Sequence, residues 1–432
     1  MCKKIVLVFI VLAISVSALA ATKEIDVWLT GHSNEELRII NEVTESDFTV
    51  ATGIKVNYTT LSWSDNENRF LLGAASGDAP DVGGTGPLLL PELGLRGALM
   101  DLTNMPGFKE IYNQSYPNFY RSLQYKGLTF GLPYFSTITT AYIRDDIFRD
   151  LGIKSIATWT ELKQVLPKLQ AKKSNLLLQF GLGEILYADV NMFMWQRGAD
   201  DYTPDLTKSG YDSPECIAAF KEYVELYTKY KIPSETPMFQ GFVSGDLSIV
   251  LQYPFFYQNL THGAPQIAGK WSIAEVPGTI LDGKLDRTTN AGGSAIGIFQ
   301  SSKKKNEAWE YLKWFSSDKT QISIANRIHN EIPGAFFMPS NRKAIPKIDF
   351  NKEALSLFSK ALESGSRSIY GLVAPRHRRR YLQMATQRCV LQGEDPEKSI
   401  RSAAEEHNAE INKKQVEYDR FIKKLLELQK KN

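Results

Sequence analysis

The sequence predicts an α/β protein of two lobes, and three observations carry that reading. Short strand-like runs alternate with helix-like runs from Glu24 onward, the pattern of a parallel layer covered by helices. The 432 residues are enough for two or three domains, yet they hold no internal repeat, low-complexity segment or long flexible linker. Apolar residues make up 43% and charged ones 23%, a balance that supplies a sizeable core. Two lobes joined by short crossings fit these facts better than beads on a string.

The first residues, MCKKIVLVFIVLAISVSALA, read as a leader. Lys3 and Lys4 form a charged start, Ile5 to Ala13 an apolar run, and Ala18-Leu19-Ala20 a small-x-small cleavage pattern. An uncleaved anchor is the alternative, but the apolar run is short for a span. Residues 1–20 are therefore expected to be removed. No cysteine stands at the cleavage point for acylation, so the expected product is free in a periplasm-like space. Losing Lys3 and Lys4 lowers the formal charge of +3 by two, and a near-neutral chain argues against a nucleic-acid partner.

The elements then follow in order. Glu24 to Leu29 alternates like a strand, and Ser33 with Glu36 forms a capping box opening a helix. Gly53 to Tyr58 is a second strand. Ser64 with Glu67 reads as another capping box, opening a helix to Ala75, and Pro80 to Val82 starts a third strand. Thr158 with Glu161 caps a helix through Leu169, and Pro214 opens one from Glu215 to Tyr230. Ala308, Tyr311, Leu312 and Phe315 share one helical face, and Tyr418, Phe421, Ile422 and Leu425 repeat that spacing. Cys216 and Cys389 fall in helix-like stretches; buried free thiols are the simpler reading, a disulfide the alternative.

Catalytic and cofactor motifs are missing from the sequence. SGDAPDVGGTGP (76–87) has no Lys-Ser or Lys-Thr behind its glycines, so it is no P-loop, and Leu89 breaks the dinucleotide fingerprint. Gly292-Gly293-Ser294 lacks the nucleophile-elbow pattern, and His32, His262, His329, His377 and His407 have no metal-ligand spacing. No enzyme chemistry, cofactor or metal is expected; a secreted glycoside-processing enzyme, whose carboxylate pair is set by space and not by spacing, is the distant alternative. Aromatics at 11% are more informative. Trp63 precedes a helix start whose staple position holds Asn68, which leaves its ring without a local core partner. Tyr253-Pro-Phe-Phe-Tyr257, Trp195 beside Gln196 and Arg197, and Tyr134-Phe135 interleave rings with amides and charges. That mixture suits a sugar, whose C–H faces stack on rings while its hydroxyls pair with polar side chains.

Ten short motifs then point one way. "ATGIKV" (51–56), "AASGDAPDV" (74–82), "GALMDLT" (97–103), "GLPYFSTITTAY" (131–142), "GFVSGDLSIVLQYPFF" (241–256), "IPGAFFMPSNR" (332–342) and "VLQGEDPEKSI" (390–400) are the clearest. In this order, behind a leader, the chain resembles the extracellular solute-binding proteins of ABC importers, specifically the carbohydrate-binding, maltose-type group. The resemblance implies a periplasmic-binding-protein-like fold, two α/β lobes with the ligand in the cleft between them. It divides the chain into an N-terminal lobe of 21–136 with 297–340 and a C-terminal lobe of 137–296 with 341–432. Crossings are expected near Pro133–Thr140, Ala291–Ile298 and Pro339–Ile345. The implied partners are a saccharide and transmembrane permease subunits, with the binding protein a monomer.

Carried over position by position, the resemblance implies ligand contacts from His32, Asn34 and Glu35, from Thr85, and from Tyr134 and Ser136. Tyr187, Asp189 and Trp195 follow, then Phe255 and Phe256, Gly293, and Arg376 with His377; Trp63 joins them from its own context. The chain departs from the maltose-type pattern at Pro254-Phe255-Phe256, where a Trp is usual, and in its basic run Arg376 to Arg380. That run is most simply a solvated surface. Alternatively Arg376 or Arg378 faces an anionic ligand such as a uronate oligosaccharide, or the ligand is a polyol phosphate.

Overall fold

The computed structural model describes residues 23–87, 89–178, 190–367, 371–373 and 375–429. The expected leader, residues 1–20, lies outside them. The chain opens with β1 (Lys23–Thr30), α1 (Asn34–Val43), β2 (Ile54–Leu61), α2 (Asn66–Ser76) and β3 (Val82–Thr85). β1 pairs in parallel with both β2 and β3, because each return passes through a helix. Ser33 caps α1 through the complete box with Glu36. The box expected at Ser64 and Glu67 does not form. α2 starts at Asn66 with no side-chain cap, and the Ser62 hydroxyl takes the local role, donating to Asp65 at 2.7 Å.

The first sheet is completed from far along the chain. After α3 (Leu89–Leu95) and α4 (Pro117–Arg121) come β4 (Leu132–Ile138) and β5 (Thr140–Arg144). β4 belongs to the first sheet and β5 to a second, and one residue, Thr139, lies between them. α5 (Trp159–Ala171) carries the Thr158–Glu161 box, followed by β6 (Asn175–Leu177), α6 (Val190–Trp195) and α7 (Pro214–Thr228), the last capped by Ser213. With β7 (Leu247–Gln252), α8 (Phe255–Gly263) and β8 (Trp271–Ala274), the second sheet takes the order β8-β5-β7-β6. β9 (Thr289–Ile298) then returns to the first sheet, antiparallel to β3 and β4. α9 (Lys305–Phe315), α10 (Asp318–Glu331), α11 (Lys352–Gly365), β10 (Ser366–Arg367), α12 (Pro375–Gln392) and α13 (Pro396–Gln429) finish the chain.

Each sheet has its own core. The first draws on Ile25 to Ile138, on Ala291 to Leu372, and on Tyr418 and Ile422. The second draws on Ala141 to Val276 and on Leu382 to Ala404. Ile345, Phe358 and Leu362 thus pack in the first core, although they follow the crossing expected near Pro339. α11, which carries Phe358 and Leu362, packs on β4, β9 and β10 of the first sheet, so the chain changes cores later, between Leu372 and Leu382. Cys216 and Cys389 are buried free thiols, and burial raises both above the ordinary thiol range. No helix among the described residues is long and apolar enough to cross a membrane.

Candidate functional site

Three parallel strands end at one edge of the first sheet, and their exits are tied together. Gly31 N–H donates to the Leu61 carbonyl at 2.9 Å, and the Thr60 hydroxyl donates to the His32 carbonyl at 2.7 Å, joining the exits of β1 and β2. Asn66 joins the exits of β2 and β3: its amide donates to the Trp63 carbonyl at 2.5 Å and its oxygen accepts the Thr85 hydroxyl at 2.8 Å. Over this frame lies the Trp63 indole, 49% exposed. A Cβ at Gly31 would come within 2.2 Å of its Nε1, and one at Gly86 within 3.4 Å of its Cζ3. The two glycines therefore seat the ring while much of it faces outward. The carboxyl ends of parallel strands are where open α/β sheets bind ligands.

The neighbouring polar groups include His32, Tyr134 and Glu36. His32 Nε2 is hydrogen-bonded to the Tyr134 hydroxyl at 3.1 Å, and Nδ1 lies 3.9 Å from a Glu36 carboxylate oxygen. Burial holds the imidazole below its ordinary pKa, against the pull of Glu36, so it is uncharged at neutral pH. Burial likewise raises Tyr134. Pro87, next in sequence to Gly86, lines a small apolar recess with Phe119, Phe135, Gly292, Gly293 and Ser294. Arg121, beside it on α4, pairs with Asp200, and Arg367 stands 3.6 Å from the same carboxylate. That pair links a neighbour of Tyr120 in the first core to a neighbour of Ala199 in the second.

The structure thus brings His32, Trp63, Thr85 and Tyr134 together, with different roles. Thr85 and Tyr134 are buried and already partnered, so they support the frame and do not present a free surface. Asn34 and Glu35 stand exposed on the first turn of α1, Glu35 paired with Arg38 at 3.4 Å. Ser136 and Phe256, expected as ligand contacts, lie inside packing in this structure. The Ser136 hydroxyl donates to the Pro339 carbonyl at 2.7 Å inside the crossing. Phe256 is core, edge-on to Tyr142 at 5.0 Å, because the first turn of α8 faces the second sheet. Phe255, partly buried, packs against both the first core and that cluster. Gly293 has φ +141°, and a Cβ there would meet the Phe135 carbonyl oxygen at 1.9 Å, so it serves close pairing of β9 with β4.

Trp195 is fully enclosed at the end of α6, and its Nε1 has no hydrogen-bond partner among the described residues. It too is enclosed packing and offers no open platform. Tyr187 and Asp189 lie outside the described residues. Arg376 and His377 fall on the first turn of α12, with their side chains outside the described part. Among the described residues no group of His, Cys, Asp and Glu is arranged to hold a metal ion. Sequence reasoning missed Asn66 and the Arg121–Asp200 pair. Asn66 was readable only as a helix-start residue, and the ion pair joins positions 79 apart.

The sequence profile described as bacterial extracellular solute-binding protein matches residues 31–322. A binding protein of Brucella abortus (strain 2308) is 25% identical over 273 residues, 60% of this chain. The match spans 64% of that relative, just under two thirds of its length. The diacetylchitobiose binding protein DasA of Streptomyces coelicolor is 24% identical over 314 residues, 69% of this chain and 70% of its own. The structure of the sugar-binding protein MalE from Xanthomonas citri superposes with a TM-score of 0.77 at 19% identity, covering 92% of this chain and 99% of that one. At that identity the likeness shows the maltose-binding-like two-lobed α/β fold.

Proposed function

The chain belongs to the bacterial extracellular solute-binding proteins, and from that premise we propose that it captures a sugar or oligosaccharide and delivers it to the membrane permease of an ABC importer. The family is one of binding proteins, and the chain is a binder and not an enzyme. One observation carries the saccharide reading: the half-exposed Trp63 ring seated on Gly31 and Gly86 at the edge where three parallel strands end. An indole face matches the C–H face of a pyranose, and the neutral His32 and Tyr134 beside it suit hydroxyls better than a charged group. Relatives that carry saccharide names support the same reading.

In this reading the two cores rotate about Thr139 and the start of β9, and a ligand touching both favours the closed arrangement. The closed form is the one a permease would recognise. The protein acts as a monomer in the periplasm after loss of residues 1–20. The test is a thermal-shift screen over neutral and acidic saccharides, with Trp fluorescence as a second channel. A ligand at about a hundred times its Kd should add roughly 2.7 kcal/mol of stability. A response to uronates alone would move the ligand class to anionic sugars; a response to no saccharide sinks the proposal.

A further inference from the structure

We propose that the last helix, α13, sets ligand affinity from outside the cleft by pinning one arrangement of the two cores, with Arg96, Glu417 and Tyr418 as its positioning residues. The proposal rests on the solute-binding reading. α13 has 34 residues, Pro396 to Gln429, and at 1.5 Å per residue is about 50 Å long. Its first half buries Ile400, Ala403 and Ala404 in the second core. Its far half buries Tyr418 and Ile422 in the first. At Thr139 the chain changes cores through a single residue between two strands, which can absorb rotation in a few torsions. A continuous helix has no such freedom.

The far seat is specific. Glu417 pairs with Arg96 at 3.1 Å, and Arg96 pairs with the buried Glu92 at 2.9 Å. The Arg96 guanidinium lies over the Tyr418 ring at 5.7 Å, and the Lys414 ammonium lies at 5.3 Å from the same ring. Phe421 covers Gly97, where a Cβ would meet its Cδ1 at 3.3 Å. Position gives this seat leverage. Gln300 N–H donates to the Ala98 carbonyl and Met100 N–H to the Ile298 carbonyl, so the seat lies at the end of β9 remote from Thr289. Ten strand residues span about 30 Å, so a rotation of about 10° at Thr289 carries the seat about 5 Å.

An ion pair at 3.1 Å does not survive that displacement. The seat is therefore made or broken as the cores rotate, and it biases the equilibrium that the ligand must also shift. Apparent affinity scales with the populated fraction of the competent arrangement. Residues with no ligand contact then change Kd.

The test uses the full chain, with Tyr418→Ala and Glu417→Arg as loosening variants and Lys413→Ala, on the exposed side of α13, as control. Small-angle scattering gives the radius of gyration of each unliganded protein. Titration gives Kd for the best of diacetylchitobiose, maltotriose and lactose. The expected result is a Kd shift of about fivefold or more in both loosening variants, with the more compact variant binding tighter and Lys413→Ala unchanged. Folded variants with the wild-type radius and Kd overturn the proposal. If Tyr418→Ala does not fold, Glu417→Arg, on a partly exposed residue, decides alone. If none of the three sugars binds, the scattering arm still decides the role of α13, while the saccharide reading fails separately.

Discussion

The Trp63 indole rests on Gly31 so closely that no side chain fits between them: a Cβ on Gly31 would stand 2.2 Å from Nε1. Gly31 also has φ +81°, a left-handed conformation that costs other residues roughly 1 kcal/mol or more. Gly31→Ala should therefore displace the ring and weaken saccharide binding by about tenfold or more while the fold persists. Trp emission of the variant, compared with Trp63→Phe, checks whether the ring has left its seat. Unchanged emission and affinity would show that the glycine matters to the turn alone.

Thr85 and Asn66 make the second prediction. Thr85→Val keeps the shape but leaves the Asn66 oxygen without its 2.8 Å donor. The expected cost is about 1–3 kcal/mol of stability, since a buried acceptor is left unpaired. Asn66→Ala also frees the Trp63 carbonyl, so it should weaken ligand binding more than Thr85→Val does. Urea denaturation and titration on both variants separate the two effects.

Adjacent phenylalanines should behave differently. Phe256→Ala empties a packed site between Tyr142 and Phe242 and should cost about 3–5 kcal/mol. Phe255, only partly buried between two apolar clusters, should cost less and alter affinity more. Equal stability losses with unchanged Kd would make Phe255 packing as well.

Acid should destabilise the protein through His329. Its Nε2 accepts the Phe337 N–H at 3.1 Å, and burial beside Phe336 and Phe350 lowers its pKa to about 4, despite the nearby Asp349. The ordinary value is 6.5, so the unfolded chain binds the proton first. The stabilisation is fully present above pH 6.5 and is lost as pH falls towards 4, on the order of 3 kcal/mol in total. Denaturation midpoints at several pH values should fall through that window, and His329→Gln should flatten the slope.

Much of the secondary structure was legible because its signals are local. The alternation in Glu24–Leu29, the Ser33–Glu36 box and the Thr158–Glu161 box each need only a few neighbouring residues, and all three form. Trp63 was legible as a ring without a core partner, since Asn68 stands where an apolar staple residue would. What was not legible depends on distant pairing. Ser64–Glu67 has the spacing of a capping box, but Ser62 captures Asp65 first. Phe255 and Phe256 are indistinguishable in sequence, and only the orientation of α8 against the second sheet buries one of them. Thr85 looks like an open hydroxyl until Asn66, nineteen positions earlier, claims it.

The scattered origin of the cores also fixes when the molecule can become itself. The first core needs Ile25 and also Leu372, Tyr418 and Ile422; the second needs Ala141 and also Ala404. A growing chain released from the ribosome therefore holds neither core whole until nearly all of it has been made. Contacts so distant along the chain close slowly. Neither core can close before its last residues, Ile422 for the first and Ala404 for the second, exist to fill it.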